Sequence, residues 1–282
     1  MRVVQRRAVV IGLALMAVAS PAAAKGREGL RVMSFNVRLP VAADGPNRWE
    51  ARQDLFVETI RRADPDIIGT QELWKIQADH LIAKLPRYSW FGIDRRGGHA
   101  DEHMGVFYRR DRLKLVESGN FWLSDTPQVP GSISWGNLYP RMATWGLFET
   151  VRGRKRFWFI NTHFPYRAED EAAREKAAAA IMAWVAARPD GAPVVLTGDF
   201  NTVPDSAAYR TLSAGMTDAW EAALLEGGPA ETFHGFTGRA DRRIDWIFAR
   251  GLSAMTAATL TDSANGRYPS DHFPVLVDYR WP

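Results

Sequence analysis

The chain has 282 residues, 46% hydrophobic and 11% aromatic, which supports a substantial core and excludes a disordered or low-complexity protein. With no cysteine it has no disulfide framework, no thiolate nucleophile and no thiolate-held metal, so any metal must rest on oxygen or imidazole. The formal charge of +4 invites a nucleic-acid partner, but Arg2, Arg6 and Arg7 supply much of it.

Residues 1–24 read as a secretory signal: those three arginines form a basic start, 8–19 an apolar stretch of 12, and Ala22-Ala23-Ala24 a small-residue cleavage site. Twelve apolar residues fall short of the roughly 20 that span a bilayer, so cleavage near Lys25 is expected rather than anchoring. Arg6-Arg7 also suits a twin-arginine route, although Gln5 and Ala8 are poor flanks for it. Without the leader, Lys+Arg falls from 36 to 33 against 32 acids, a net charge of about +1. No later run is apolar enough to cross a membrane, so a monomer in the periplasmic or extracellular space, without stable membrane insertion, is expected.

In chain order, the patterns read as a strand at 31–37, a helix at 49–62 with Trp49, Phe56 and Ile60 on one face, a strand at 66–70 and a helix at 75–85. Strands follow at 90–93, 105–109, 113–123, 142–150 and 156–163, with the basic run 151–156 as a solvated hairpin turn. A helix over 169–188 puts Ala177, Ile181, Trp184 and Val185 on one face; then come a strand at 193–199, a helix at 206–213 and strands at 244–249 and 274–279. Ten strands overfill one twisted sheet, so two packed sheets with helices outside them are expected, a layered α/β sandwich.

Five segments end such runs with polar groups that a core strand does not need: Ser34-Phe35-Asn36, Thr70-Gln71-Glu72, Asn161-Thr162-His163, Thr197-Gly198-Asp199-Phe200-Asn201 and Ser270-Asp271-His272. Singly, each also suits a turn. Jointly they put amides, carboxylates and imidazoles where strands run into loops, and loops on a rigid scaffold build sites. Asp199 and Asn201, two apart, share a side of an extended chain and can hold a hard cation or orient a water. Glu72 ends an apolar run, where a buried carboxylate is costly unless a cation pairs with it. Mg²⁺ takes oxygen ligands, uses one or two carboxylates and keeps waters for a phosphate.

Ser34-Phe35-Asn36-Val37, Gln71-Glu72, Asn161-Thr162-His163, Gly198-Asp199-Phe200-Asn201, Arg243-Ile244-Asp245-Trp246-Ile247 and Ser270-Asp271-His272, in that order, resemble the motifs of the endonuclease/exonuclease/phosphatase superfamily. The resemblance spans about 31–279. It implies a four-layered α/β sandwich, two packed mixed β-sheets flanked by helices, as one domain over 25–282. It also implies a Mg²⁺- or Mn²⁺-dependent phosphoester hydrolase: a phosphodiesterase, nuclease or phosphatase.

Position by position, the resemblance makes Glu72 the main metal ligand, assisted by Asn36 and Asp271. Asp199 and Asn201 match the pair that positions the attacking water and the phosphate, His272 the imidazole beside the phosphate, and Asp245 the carboxylate that orients it. Arg141 looks like a phosphate-contacting arginine, and His163 with Glu102 like a second His–Glu pair. Phosphoester hydrolysis needs a positioned water, neutralised charge and help for the leaving oxygen, and imidazoles titrate in the right range to supply part of this. His163 and His272, 109 residues apart, are therefore expected to face the same phosphate.

One departure from the pattern is Phe164-Pro165-Tyr166, where many bacterial relatives carry an acidic residue and a second histidine; the aromatic pair should make that side of the cleft more apolar. Residues 121–127 resemble a segment of exported bacterial members and equally suit a strand ending in a proline turn. His80 and His99 read as solvated, whereas His103 and His234 could line the cleft. A net charge of about +1 neither demands nor excludes DNA, leaving nucleic acid or nucleotides and a small or lipid-linked phosphoester as substrate classes. The alternative class is a noncatalytic binding module on the same fold, which the full set of catalytic residue types opposes.

Overall fold

In the computed structural model, residues 28–188 and 191–282 are described; the expected leader, 1–24, lies outside them. Strand β1 (Leu30–Asn36) is buried at all but one position, as a strand covered on both faces must be. Its alternate residues serve two cores: Val32 packs between the sheets with Ile67, Phe157, Phe159 and Val277, while Met33 and Phe35 face α1 (Trp49–Ala63) through Phe56 and Ile60.

The chain continues through β2 (Ile67–Gln71), α2 (Lys75–Lys84), β3 (Tyr88–Phe91), β4 (Val106–Arg109), β5 (Leu113–Trp122), β6 (Met142–Thr150) and β7 (Arg156–His163). It then forms α3 (Glu171–Ala186), β8 (Val194–Asp199), α4 (Ala207–Ser213), β9 (Thr217–Asp218), α5 (Ala219–Ala222), β10 (Leu225–Gly227), β11 (Asp245–Arg250), β12 (Ser253–Thr259) and β13 (Val275–Arg280). One sheet has the order β10-β12-β13-β1-β2-β4-β3 and the other β5-β6-β7-β8-β11-β9. Both are mixed, with β1–β2, β10–β12 and β7–β8 parallel. The α3 and α4 helices cover the outer face of the second sheet, where Ala177, Ile181 and Leu212 meet Ile160, Leu196 and Phe248. The layers therefore run helix, sheet, sheet, helix, the α/β sandwich expected.

The ten expected strands all form, with shifted ends. The 90–93 strand is Tyr88–Phe91, because Gly92 leaves strand geometry at φ 131. The 169–188 helix begins at Glu171, after a short 3-10 turn at Ala168–Asp170. Three strands were not legible. β9 and β10 have two and three residues, and β12 is built from Ser, Ala, Met and Thr without an apolar run; pairing with β13 makes it a strand. Among the described residues no helix is long and apolar enough to cross a membrane.

Beneath the loop ends, the two sheets are joined by polar groups rather than apolar ones. Asn161 donates to Thr70 O at 2.7 Å and accepts from Gln71 Nε2 at 2.7 Å and Thr197 Oγ1 at 3.0 Å. A Cβ on Gly69 would lie 2.0 Å from Thr197 Oγ1 and 2.6 Å from Asn161 Oδ1, so the glycine makes room for this buried network. Its hydrogen bonds tie together the strands that carry the site.

Candidate active site

Parallel pairing of β1 with β2 and of β7 with β8 brings strand ends to one edge of the sandwich, and antiparallel pairing of β8 with β11 adds a strand start. His163 ends β7, Asp199 ends β8 and Asp245 starts β11, and the three stand in one register row. Asn36 ends β1 beside Gln71, and Ser270 Oγ donates to Asn36 O at 2.7 Å, drawing Ser270-Asp271-His272 to the same edge. Glu72, Asn201 and Arg38 sit at φ 58, 50 and 52, a region that non-glycine residues adopt at a cost and that recurs at functional sites.

Asp199 is the hub. Its Oδ1 accepts from Asn201 N at 2.9 Å, and its Oδ2 accepts from Asn36 Nδ2 at 2.9 Å. The same Oδ2 lies 3.5 Å from His163 Nε2 and 3.9 Å from His272 Nε2, so both imidazoles meet at one carboxylate oxygen. Burial, and then the charge of Asp245, push the Asp199 carboxyl up to about 7. Burial alone would lower the His272 imidazole, but Asp245, bonded to Nδ1 at 2.9 Å, carries it up to about 10, with Asp199 and Asp271 adding to the effect. His163 is held well below its usual range, by burial first and then by the cations Arg141, His272 and Arg95. His272 is therefore the cation of the pair and His163 the neutral ring.

His163 Nε2 accepts from Asn201 Nδ2 at 2.9 Å, which puts its proton on Nδ1. Glu102 Oε2 stands 3.9 Å from that Nδ1, beyond hydrogen-bond length, and Glu102 Oε1 is taken by Arg95 Nη1 at 2.9 Å. Burial, then the charge of Glu72, raise the Glu102 carboxyl to about 7 in spite of Arg95 and Arg141. Arg141 is buried against the cleft, and its Nη1 has no hydrogen-bond partner among the described residues.

Asn36 Nδ2 also donates to Glu72 Oε1 at 3.1 Å, so one amide bridges Glu72 and Asp199 with its nitrogen, while its oxygen accepts from Arg38 N at 3.0 Å. Glu72, His163 and Asp199 offer ligand atoms within 4.8 Å of one another, and so do Asp199, Asp245 and His272. Asp271 joins neither group. Arg38 stands beside it, with Nε 3.8 Å from Asp271 Oδ2 and Nη1 3.9 Å from Glu72 Oε2. Oxygen-rich and crowded with carboxylates, the donor set fits a hard divalent cation.

These groups open on a cleft of about 510 Å³. Its walls include side chains that no sequence motif marked: Arg38, Arg95, Phe233 and Arg242. Arg95 lies 4.6 Å over the Tyr139 ring, and Arg242 lies 4.4 Å over Phe233, which meets His272 edge-on at 5.0 Å. Arg95 has no motif around it, because its place at the cleft is set by the partners that the fold brings to it.

The expected aromatic pair splits. Tyr166 lines the cleft, but Phe164 is fully buried against Phe200, where the apolar ring finds more contact. His103 and His234 are buried away from the cleft, on Leu73 O and against Phe273, and His80 packs edge-on against Trp49 instead of being freely solvated. In 121–127 the strand does end in a turn, and Trp122 Nε1 donates to Arg95 O at 2.7 Å, supporting the cleft wall.

The sequence profile of the Endonuclease/Exonuclease/phosphatase family matches residues 33–272. The uncharacterized protein YbhP of Escherichia coli is 34% identical over 233 residues, 78% of this chain and 85% of that protein. A crystal structure of an endonuclease/exonuclease/phosphatase from Bacteroides vulgatus is 32% identical with a TM-score of 0.85, covering 91% of this chain and 100% of that one. A mannosyl-6-phosphatase of Bacteroides thetaiotaomicron is also 32% identical, with a TM-score of 0.84 over 89% of this chain and 100% of that one. With its motifs at one edge of a matching sandwich, the chain belongs to the endonuclease/exonuclease/phosphatase family, a family of phosphoester hydrolases.

Proposed function

We propose that this chain is an exported, Mg²⁺- or Mn²⁺-dependent hydrolase of small phosphoesters, in which one chain supplies every group of the site. The observation that carries the reading is the meeting of His163, His272 and the Asn36–Glu72 bridge at the Asp199 carboxylate. A cleft of about 510 Å³ suits a small organic phosphate, and the likeness to a mannosyl-6-phosphatase supports that class over duplex nucleic acid.

Glu72 would anchor the cation, with the Asn36 carboxamide that bridges it to Asp199 beside it and Asp271 at its border. The ion would supply charge neutralisation at the nonbridging phosphate oxygens. Asp199, its Oδ1 fixed by Asn201 N, accepts a proton from the attacking water through Oδ2, and a carboxyl near 7 suits that task. His272, oriented by Asp245, and the unbonded Nη1 of Arg141 donate to the phosphate as its charge builds. Neutral His163 and Asn201 hold the water-facing side in place.

The test uses the mature chain with a hexose 6-phosphate, a generic phosphodiester and a single-stranded oligonucleotide. Phosphate or alcohol release from at least one of them should vanish in excess chelator and return with Mg²⁺ or Mn²⁺. Full activity in chelator removes the metal, and a folded, metal-loaded protein without hydrolysis favours the binding-module reading. Glu72→Gln, which keeps shape and removes charge, should raise the metal concentration needed by roughly tenfold or more. Mass measurement on the secreted protein should give a chain starting near Lys25; an intact Met1 with membrane association makes the leader an anchor.

A further inference from the structure

Arg52, on α1, is 1% exposed, and no carboxylate among the described residues pairs with it. A buried guanidinium without an anion is expensive, so its hydrogen bonds must compensate. All of them go to backbone carbonyls. Nη1 donates to Val37 O at 2.7 Å and to Pro269 O at 2.9 Å, Nη2 to Arg38 O at 2.6 Å, and Nε to Asn47 O at 3.0 Å.

The other ends of those peptides face the site. The peptide whose carbonyl is Val37 O has Arg38 N, which donates to Asn36 Oδ1 at 3.0 Å. The next, whose carbonyl is Arg38 O, has Leu39 N, which donates to Glu72 Oε2 at 3.1 Å. Pro269 directly precedes Ser270 and Asp271. One guanidinium therefore grips both chain segments that bear Asn36 and Asp271, and aims two consecutive N–H dipoles at Asn36 and Glu72. It also holds Arg38 at its φ of 52, helped by Gln77 Nε2, which donates to Arg38 O at 2.8 Å.

Resting on the metal-dependent reading above, we propose that Arg52 is a positioning residue for the cation site: it orients Glu72 and Asn36 through two peptide units and ties them to the Asp271 loop. A planar fork reaching three segments does this; the single ammonium of lysine cannot. Nearby Asp271 and Asp44 favour its charged form against burial, which pulls it to about 10.

The test is Mn²⁺ binding to the mature chain, read from the free-ion electron paramagnetic resonance signal, together with the Mn²⁺-induced rise in Tm. Arg52→Met should weaken Mn²⁺ binding on the order of 10- to 100-fold, the usual range for groups behind metal ligands, and shrink the Tm rise. Arg52→Lys, which disturbs the fold less, should also weaken binding severalfold; it decides the matter if the Met variant does not fold. Leu81→Ala, a buried packing change on α2, should lower the metal-free Tm and leave Mn²⁺ affinity alone. Folded Arg52 variants with wild-type Mn²⁺ affinity, or an Arg52 effect no different from that of Leu81→Ala, overturn the proposal. A wild-type chain that binds no Mn²⁺ instead removes the metal-dependent reading itself.

Discussion

Asp199→Asn should lower kcat on the order of 10³-fold, with a smaller effect on KM. The side chain keeps its shape and its Oδ1 acceptor for Asn201 N, so the loop stays in place. What is lost is the Oδ2 acceptor at which Asn36, His163 and His272 converge. An amide nitrogen there meets the Asn36 nitrogen donor to donor and cannot take a proton from water. Stability should move the other way. Asp199 and Asp245 are buried and directly opposite each other in the β8–β11 register, and like charges so placed oppose folding. The metal-free variant should therefore melt no lower than wild type, a case of function held at the expense of stability. A loss in kcat of less than about tenfold would remove Asp199 from the reaction.

His163→Ala and His272→Ala should each cost on the order of 10²-fold in turnover, and the double variant far less than the product of the two. Non-additivity follows from geometry: both Nε2 atoms approach the same Asp199 oxygen, so removing either ring already disorganises what the other acts with. His272 should show the larger loss. It carries the charge and has a 2.9 Å carboxylate bond to fix its ring, whereas His163 is neutral and 3.9 Å from Glu102. Single-turnover rates on a fixed substrate measure all three variants. Strictly multiplicative losses would mean that the two rings work independently.

Much of this molecule is determined locally. The Phe157–Ile160 alternation, the Val194–Leu196 run and the apolar face of 49–62 specify strands and a helix by periodicity alone, and polar residues at their ends mark the functional edge. Asp199 and Asn201 both reach the site, but the strand ends at Asp199 and Asn201 turns to φ 50, so they are linked by the Asn201 N–H donating to Asp199 Oδ1 and do not share a face of an extended chain as their spacing suggests. Tertiary structure decided what depends on distant partners. β12 has no apolar run and becomes a strand only beside β13. Glu102 lies near His163, but its hydrogen bond goes to Arg95, because a guanidinium's forked donors outcompete a neutral ring for a buried carboxylate. Arg38, Arg52 and Arg95 carry no local signature, since an arginine's role is set by the oxygens that surround it. Here those oxygens come from segments up to 217 residues away, which only the packed sandwich brings within hydrogen-bond reach.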